Sequence, residues 1–147
     1  MAWTVYDALV RASAQQYSGE AQTDELEEEE TLKLYMQYAN EGFRRIWRQI
    51  DPIDIEQLPT LVHSECPELN STDSLEEYDP RVFDCLADYV TWRMLGTGNL
   101  TKQERGEWYY QRFLETLARI PKHASWDEYY KLFGNDAAHK FQNVYSW

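Results

Sequence analysis

An all-α fold is what the sequence predicts, a bundle of about four main helices with a long irregular loop and an extended C-terminal tail. Three observations carry this. Apolar residues recur at steps of three and four over most of the chain, which is the helical period. Capping residues, prolines and glycines stand where such stretches begin and end. The chain has 147 residues, with 11 Tyr and 6 Trp to enlarge a modest aliphatic content. A chain of this size buries about 68–70% of its unfolded surface, so one core forms without staples.

The elements follow in order. Thr4 is placed to cap a first helix over 4–17, with Asp7 three residues on near the positive helix end. Val5, Leu9, Ala12 and Gln16 share one face, and Ser18-Gly19 stops the helix. Glu20 to Glu30 holds seven acids in eleven residues. Like charges at that density repel, so most of this stretch is expected to be a solvated loop. The second helix, 31–50, has the clearest stripe: Leu32, Tyr35, Ala39, Phe43, Ile46 and Ile50, ended by Asp51-Pro52.

Residues 53–78 read as irregular, with Ile53, Ile55, Leu58, Leu61 and Val62 able to supply one or two short strands. Their second half is turn-rich and polar, the mark of an interaction surface or a partly disordered loop. Asp79-Pro80 starts a third helix, 80–96, buried through Phe83, Leu86, Tyr89, Val90 and Met94. Thr101 to Glu104 reads as a capping box opening a fourth helix, 101–120, with Tyr109, Phe113, Leu117 and Ile120 inward. A second box, Ser125 to Glu128, opens a short helix over 125–133. Phe43, Ile46, Leu86, Val90, Phe113 and Leu117 are expected to share one cluster.

Charge and chemistry narrow the function. The net charge of −12 argues against tracking a nucleic-acid backbone, which takes clustered Lys and Arg, and against an anionic membrane surface. No apolar run approaches the length of a membrane span. The first seven residues have neither a basic nor an apolar signal region, so no signal peptide is expected. Cys66 and Cys85 make no disulfide framework, and free thiols are the expectation. His63 and Cys66 are three apart, but with Cys85 and either His123 or His139 the spacing fits no zinc pattern. Glu27 to Glu30 lacks the glycine and the alternating ligands of a calcium loop. No nucleophile elbow or phosphate loop occurs. The expectation is therefore no catalytic residue, no metal and no cofactor.

The last seven residues stand apart. Phe141, Val144, Tyr145 and Trp147 crowd a chain end, where residues are ordinarily polar and frayed. Either the tail folds back on its own domain, or it docks in a partner with these aromatics as anchors.

Thr31-Leu32-Lys33-Leu34-Tyr35-Met36-Gln37-Tyr38-Ala39-Asn40-Glu41-Gly42-Phe43-Arg44-Arg45-Ile46 resembles a helix of the head–tail connector (adaptor) proteins of tailed bacteriophages, which carries an N-E-G-x-R-x-I run. Asp79-Pro80 leading to Leu86, Asp88, Tyr89, Arg93 and Leu95 is similar to that family's next helix, with its L-x-D-Y-x-x-x-R-x-L run. Gln111 to Ala118 is similar to the helix that closes the family's bundle. The order of elements matches over roughly residues 1–120.

The resemblance implies a helical connector domain over 1–121 and a partner-docking tail over 122–147. It implies a self-associating ring, commonly a dodecamer, in the neck of the virion at the head–tail interface. There the ring would sit beneath the portal protein, extend the DNA channel without binding DNA specifically, and meet a tail or stopper protein. On this reading Phe141, Val144, Tyr145 and Trp147 dock on the portal. The stretch around 63–78 departs from the family pattern. Two rival readings are an acidic DNA-mimic inhibitor or other interaction module, against which the clustering of the acids speaks, and a metal hydrolase.

Overall fold

The computed structural model describes residues 3–17, 23–50 and 66–121. The described residues form an all-α helical bundle. The helices are α1 (Val5–Gln16), α2 (Thr23–Glu27), α3 (Glu29–Ile50), α4 (Pro80–Leu95) and α5 (Leu100–Arg119). Among the described residues there is no strand, only one antiparallel bridge between Thr4 and Ser74. The chain divides into two compact units, one of Met1–Ile46 with Pro67–Ile120, the other of Trp47–Cys66 with Pro121–Trp147. The first unit holds the site considered below.

Local chemistry explains where the helices begin. At α1 the Thr4 hydroxyl accepts from the Asp7 N–H at 3.2 Å, and the Asp7 carboxylate accepts from the Thr4 N–H at 3.0 Å. Two further helix-start donors, the Val5 and Tyr6 N–H groups, reach the carbonyls of Asp73 and Ser71 at 2.9 and 2.8 Å. Asp79 caps α4 ahead of Pro80. The cap of α5 is Asn99, whose side chain accepts from the Lys102 N–H at 3.0 Å, rather than Thr101. Both residue types cap well, and the short Gly96–Gly98 turn lets the helix start one residue earlier.

The acidic stretch departs from a solvated loop. Thr23–Glu27 forms a helical turn and α3 starts at Glu29. The cause is Leu26, 1% exposed, which anchors the stretch in the core while Glu27 to Glu30 stay in solvent. Tyr17 also donates its hydroxyl to Glu25 at 3.2 Å. Residues 66–78 have no helix, yet they are pinned. Leu69 and Leu75 are buried, and Asn40 clasps the Leu69 peptide, donating to its carbonyl at 3.2 Å and accepting from its N–H at 2.6 Å.

The core lies around α4. Nine of its residues are buried, from Val82 to Leu95, and they point all round the helix. A helix with buried residues on every side belongs inside its bundle, and the two polar ones among them, Asp88 and Thr91, are hydrogen-bonded there. Phe43, Ile46, Leu86, Val90 and Phe113 are fully buried, and Leu117 is half-buried. The strands considered for Ile53, Ile55, Leu58, Leu61 and Val62, the short helix over 125–133 and the tail residues Phe141, Val144, Tyr145 and Trp147 lie outside the described residues.

Candidate functional site

The residues that carry the family resemblance come together where α3, α4 and α5 meet. Asn40, Glu41 and Gly42 are consecutive on α3, so they point in three directions, and each meets a different partner. Asn40 holds the loop at Leu69. The Glu41 carboxylate accepts from Nε of Arg93 on α4 at 3.0 Å. This pair is half-exposed, where such a contact is worth at most about 1 kcal/mol. The Arg93 guanidinium also lies 4.7 Å from the Tyr38 ring centroid, which fixes its direction. At Gly42 the Tyr89 ring comes so close that an added Cβ would stand 2.6 Å from its Cδ1. Glycine there permits the α3–α4 approach.

Arg45, one turn on, enters a cage of rings. Its guanidinium carbon lies 5.9, 5.6 and 5.8 Å from the centroids of Tyr89, Tyr110 and Phe113, and it donates to the Tyr110 hydroxyl at 3.2 Å. Burial, then the Glu41 charge, raises the Tyr89 phenol above its ordinary pKa. The rings also pack on one another, Tyr89 edge-on to Phe113 at 5.2 Å and Trp92 tilted on Tyr110 at 4.2 Å.

A second polar group lies between α4, α5 and α1. Asp88 is 1% exposed, and Arg112 grips both its oxygens, Nε donating at 2.7 Å and Nη2 closing the fork. Hydrogen bonding to Asp88 raises the Arg112 guanidinium still further above its ordinary value. Nη2 also donates to the Gln15 side chain, which in turn donates to the Thr91 hydroxyl at 2.8 Å. Arg105 and Tyr109 donate to the carbonyls at the end of α1, the negative end of that helix. Gly106 of α5 sits against Leu95 and Trp92, again where a Cβ would crowd the neighbour.

These groups are spent on one another. The arrangement can lock three helices in register: Asn40, Glu41, Arg45, Asp88, Arg93 and Arg112 each spend at least one polar atom on a protein partner. Cys85 is buried on α4, and burial, then the nearby Asp88, Asp84 and Asp79, pushes its thiol up to about 12, a poor ligand and nucleophile at neutral pH. Cys66 is half-buried in the other unit, and His63, His123 and His139 lie outside the described residues. Among the described residues no three His, Cys, Asp or Glu side chains gather as a metal site would need. No described helix is long and apolar enough to cross a membrane.

Sequence reasoning picked out Asn40, Glu41, Gly42, Asp88, Tyr89 and Arg93 as a motif but not as contacts. It included Arg112 only as part of the closing-helix run Gln111 to Ala118, with no role, and passed over Gln15. A basic residue on the inward side of an amphipathic helix was the available signal for Arg112. No protein-family model, curated protein or solved structure matches the chain.

Proposed function

We propose that the chain is a structural subunit of a tailed-phage head–tail connector, an adaptor that assembles as a ring beneath the portal and links the capsid to the tail. One observation carries the reading. The motif residues that suggested the family are each other's partners across the bundle: Glu41 with Arg93, and Gly42 with Tyr89, while Asp88 of the second run engages the closing helix through Arg112. Residues that depend on one another in this way define a packing arrangement, and a shared arrangement is what a family of scaffold subunits has in common. Two further features support it. The polar groups of the site are consumed in holding helices together, as suits a scaffold better than a catalyst. The exposed acids of Glu27 to Glu30 and a net charge of −12 would repel DNA phosphates along a channel.

In this proposal the aromatic tail is the portal anchor, through Phe141, Val144, Tyr145 and Trp147, and the ring meets a tail or stopper protein on its other side. Burying such anchors can supply several kcal/mol at about 25 cal/mol per Å², repeated in every subunit of a ring. The test is electron microscopy of virions carrying a labelled copy of the chain. Label at the neck, between portal and tail, is expected. Label in the capsid shell or at the tail tip rejects the proposal. Deleting residues 136–147 is expected to abolish capture by the portal while leaving the melting temperature of the isolated subunit nearly unchanged.

A further inference from the structure

The loop of residues 69–75 joins two helices that are distant in the sequence. Its odd-numbered residues turn inward and its even-numbered ones outward. Leu69 and Leu75 are buried and Ser71 and Asp73 half-buried, while Asn70, Thr72 and Ser74 are exposed. Each inward residue is tied through its backbone. Asn40 of α3 holds the N–H and the carbonyl of Leu69, at 2.6 and 3.2 Å. The carbonyls of Ser71 and Asp73 accept from the Tyr6 and Val5 N–H groups in the first turn of α1, at 2.8 and 2.9 Å, and the Leu75 N–H donates to the Trp3 carbonyl at 2.7 Å. One end of the loop is thus fastened to α3 and the rest to the start of α1.

The stretch between is closed on itself. The Asn70 N–H donates to the Asp73 carboxylate at 2.7 Å, and the Asp73 N–H donates to the Asn70 carbonyl at 3.0 Å. A four-residue turn closed by two bonds has little slack, so a shift at Leu69 carries to Ser71 and Asp73 instead of being absorbed. There is room for such a shift. An open groove of about 620 Å³ is lined by Met36, Asn40 and Leu69, and a second cavity of about 500 Å³ by Leu69, Asp73 and Tyr78. The first N–H groups of an α-helix have no acceptor within their own helix, so those of Val5 and Tyr6 depend on the loop.

We propose that this loop is a latch, through which Asn40 on α3 governs whether the first turn of α1 is closed. With Leu69 clasped, the loop presents the Ser71 and Asp73 carbonyls to α1, and the turn holds. When the Asn40 carboxamide lets go, the carbonyls withdraw and the turn opens. Asn40 itself is bonded to Met36 and Leu69, and it reaches α1 through the loop. It is half-buried and lines the open groove, so a contact made there bears on α1 as well. The latch works in the isolated chain and needs neither portal nor ring.

The test is amide hydrogen exchange of the full native chain, followed residue by residue by NMR. Asn40→Ala removes the clasp and suits the helical backbone of α3. The Val5 and Tyr6 amides are expected to exchange about tenfold faster, while the Phe113 amide in α5 keeps its wild-type rate. Asp73→Ala gives the turn slack. In that background Asn40→Ala is expected to change the Val5 and Tyr6 rates by less than about twofold, which independent local weakening would not produce. Coupling is reciprocal, and this supplies a measurement that survives poor folding of the Asn40 variant. Thr4→Ala removes the α1 cap and leaves Asn40 and the loop intact, and it is expected to speed exchange of the Leu69 amide. Acceleration in Asn40→Ala confined to Leu69 and Asn70 overturns the proposal. So does equal acceleration of Val5 and Phe113, full additivity with Asp73→Ala, or a Leu69 amide unmoved by Thr4→Ala.

Discussion

Cys85 and Tyr35 show how a single side chain's chemistry is set by its place in the bundle. Both are completely buried, and burial pushes both up to about 12, the thiol from 9.0 and the phenol from 10.0. Each therefore stays neutral in the fold at a pH where the unfolded chain has lost the proton. The sign follows from linkage. Above pH 9 the unfolded state binds fewer protons than the folded state, so stability falls as pH rises. The contribution is complete below the unfolded values and drains away between about pH 9 and 12. Urea melts between pH 8 and 11 are expected to show a falling midpoint, and a flat profile would contradict the burial of these groups. A thiol reagent separates the two cysteines directly. At neutral pH Cys66, half-buried, is expected to react in the native protein, and Cys85 only after denaturation.

The helices depend on a few polar locks between them, and Asp88 is the most exposed to failure. Its carboxylate is out of water and satisfied by Arg112, so removing the guanidinium strands a charge in the interior. Arg112→Met keeps much of the length and apolar character of the side chain. It is expected to cost about 3–5 kcal/mol in denaturant melts, the range for breaking one side of a buried pair. A loss under about 1 kcal/mol would place the pair among surface contacts. Sequence periodicity found α1, α3, α4 and α5 because each has an apolar face sustained over several turns, and it located the Thr4 and Asp79 caps because nothing nearby competed. It misplaced the α5 cap, where Asn99 and Thr101 offered two starts. It missed α2, because one buried Leu26 among acids leaves no periodic trace. Pairings such as Glu41 with Arg93 and Asp88 with Arg112 are contacts between distant segments, and periodicity says which face a residue occupies, never what stands opposite.

In the whole first unit, α4 is the post on which the rest is hung, and Phe113 is the side chain through which α5 grips it. Its ring lies 5.2 Å from Tyr89 and 6.1 Å from Tyr110, while the Arg45 guanidinium of α3 sits 5.8 Å from its centroid. Three helices thus meet at one fully buried ring. The same neighbourhood holds the Gly42–Tyr89 approach, so α3 is pressed onto α4 beside the point where α5 is pressed onto it. Phe113→Ala would leave a void that two tyrosines and an arginine, already tied to other partners, are poorly able to fill. The expected cost is about 3–5 kcal/mol. For a domain whose total stability is about 5–15 kcal/mol, that loss is large enough to lower the population of the entire unit rather than to fray one helix. Hydrogen exchange distinguishes the two. If the ring is the common anchor, slow amides in α3, α4 and α5 of the Phe113→Ala variant are expected to speed up by similar factors. Acceleration confined to α5 would show that α3 and α4 hold together without it, and that the unit is stabilised by separate pairwise contacts.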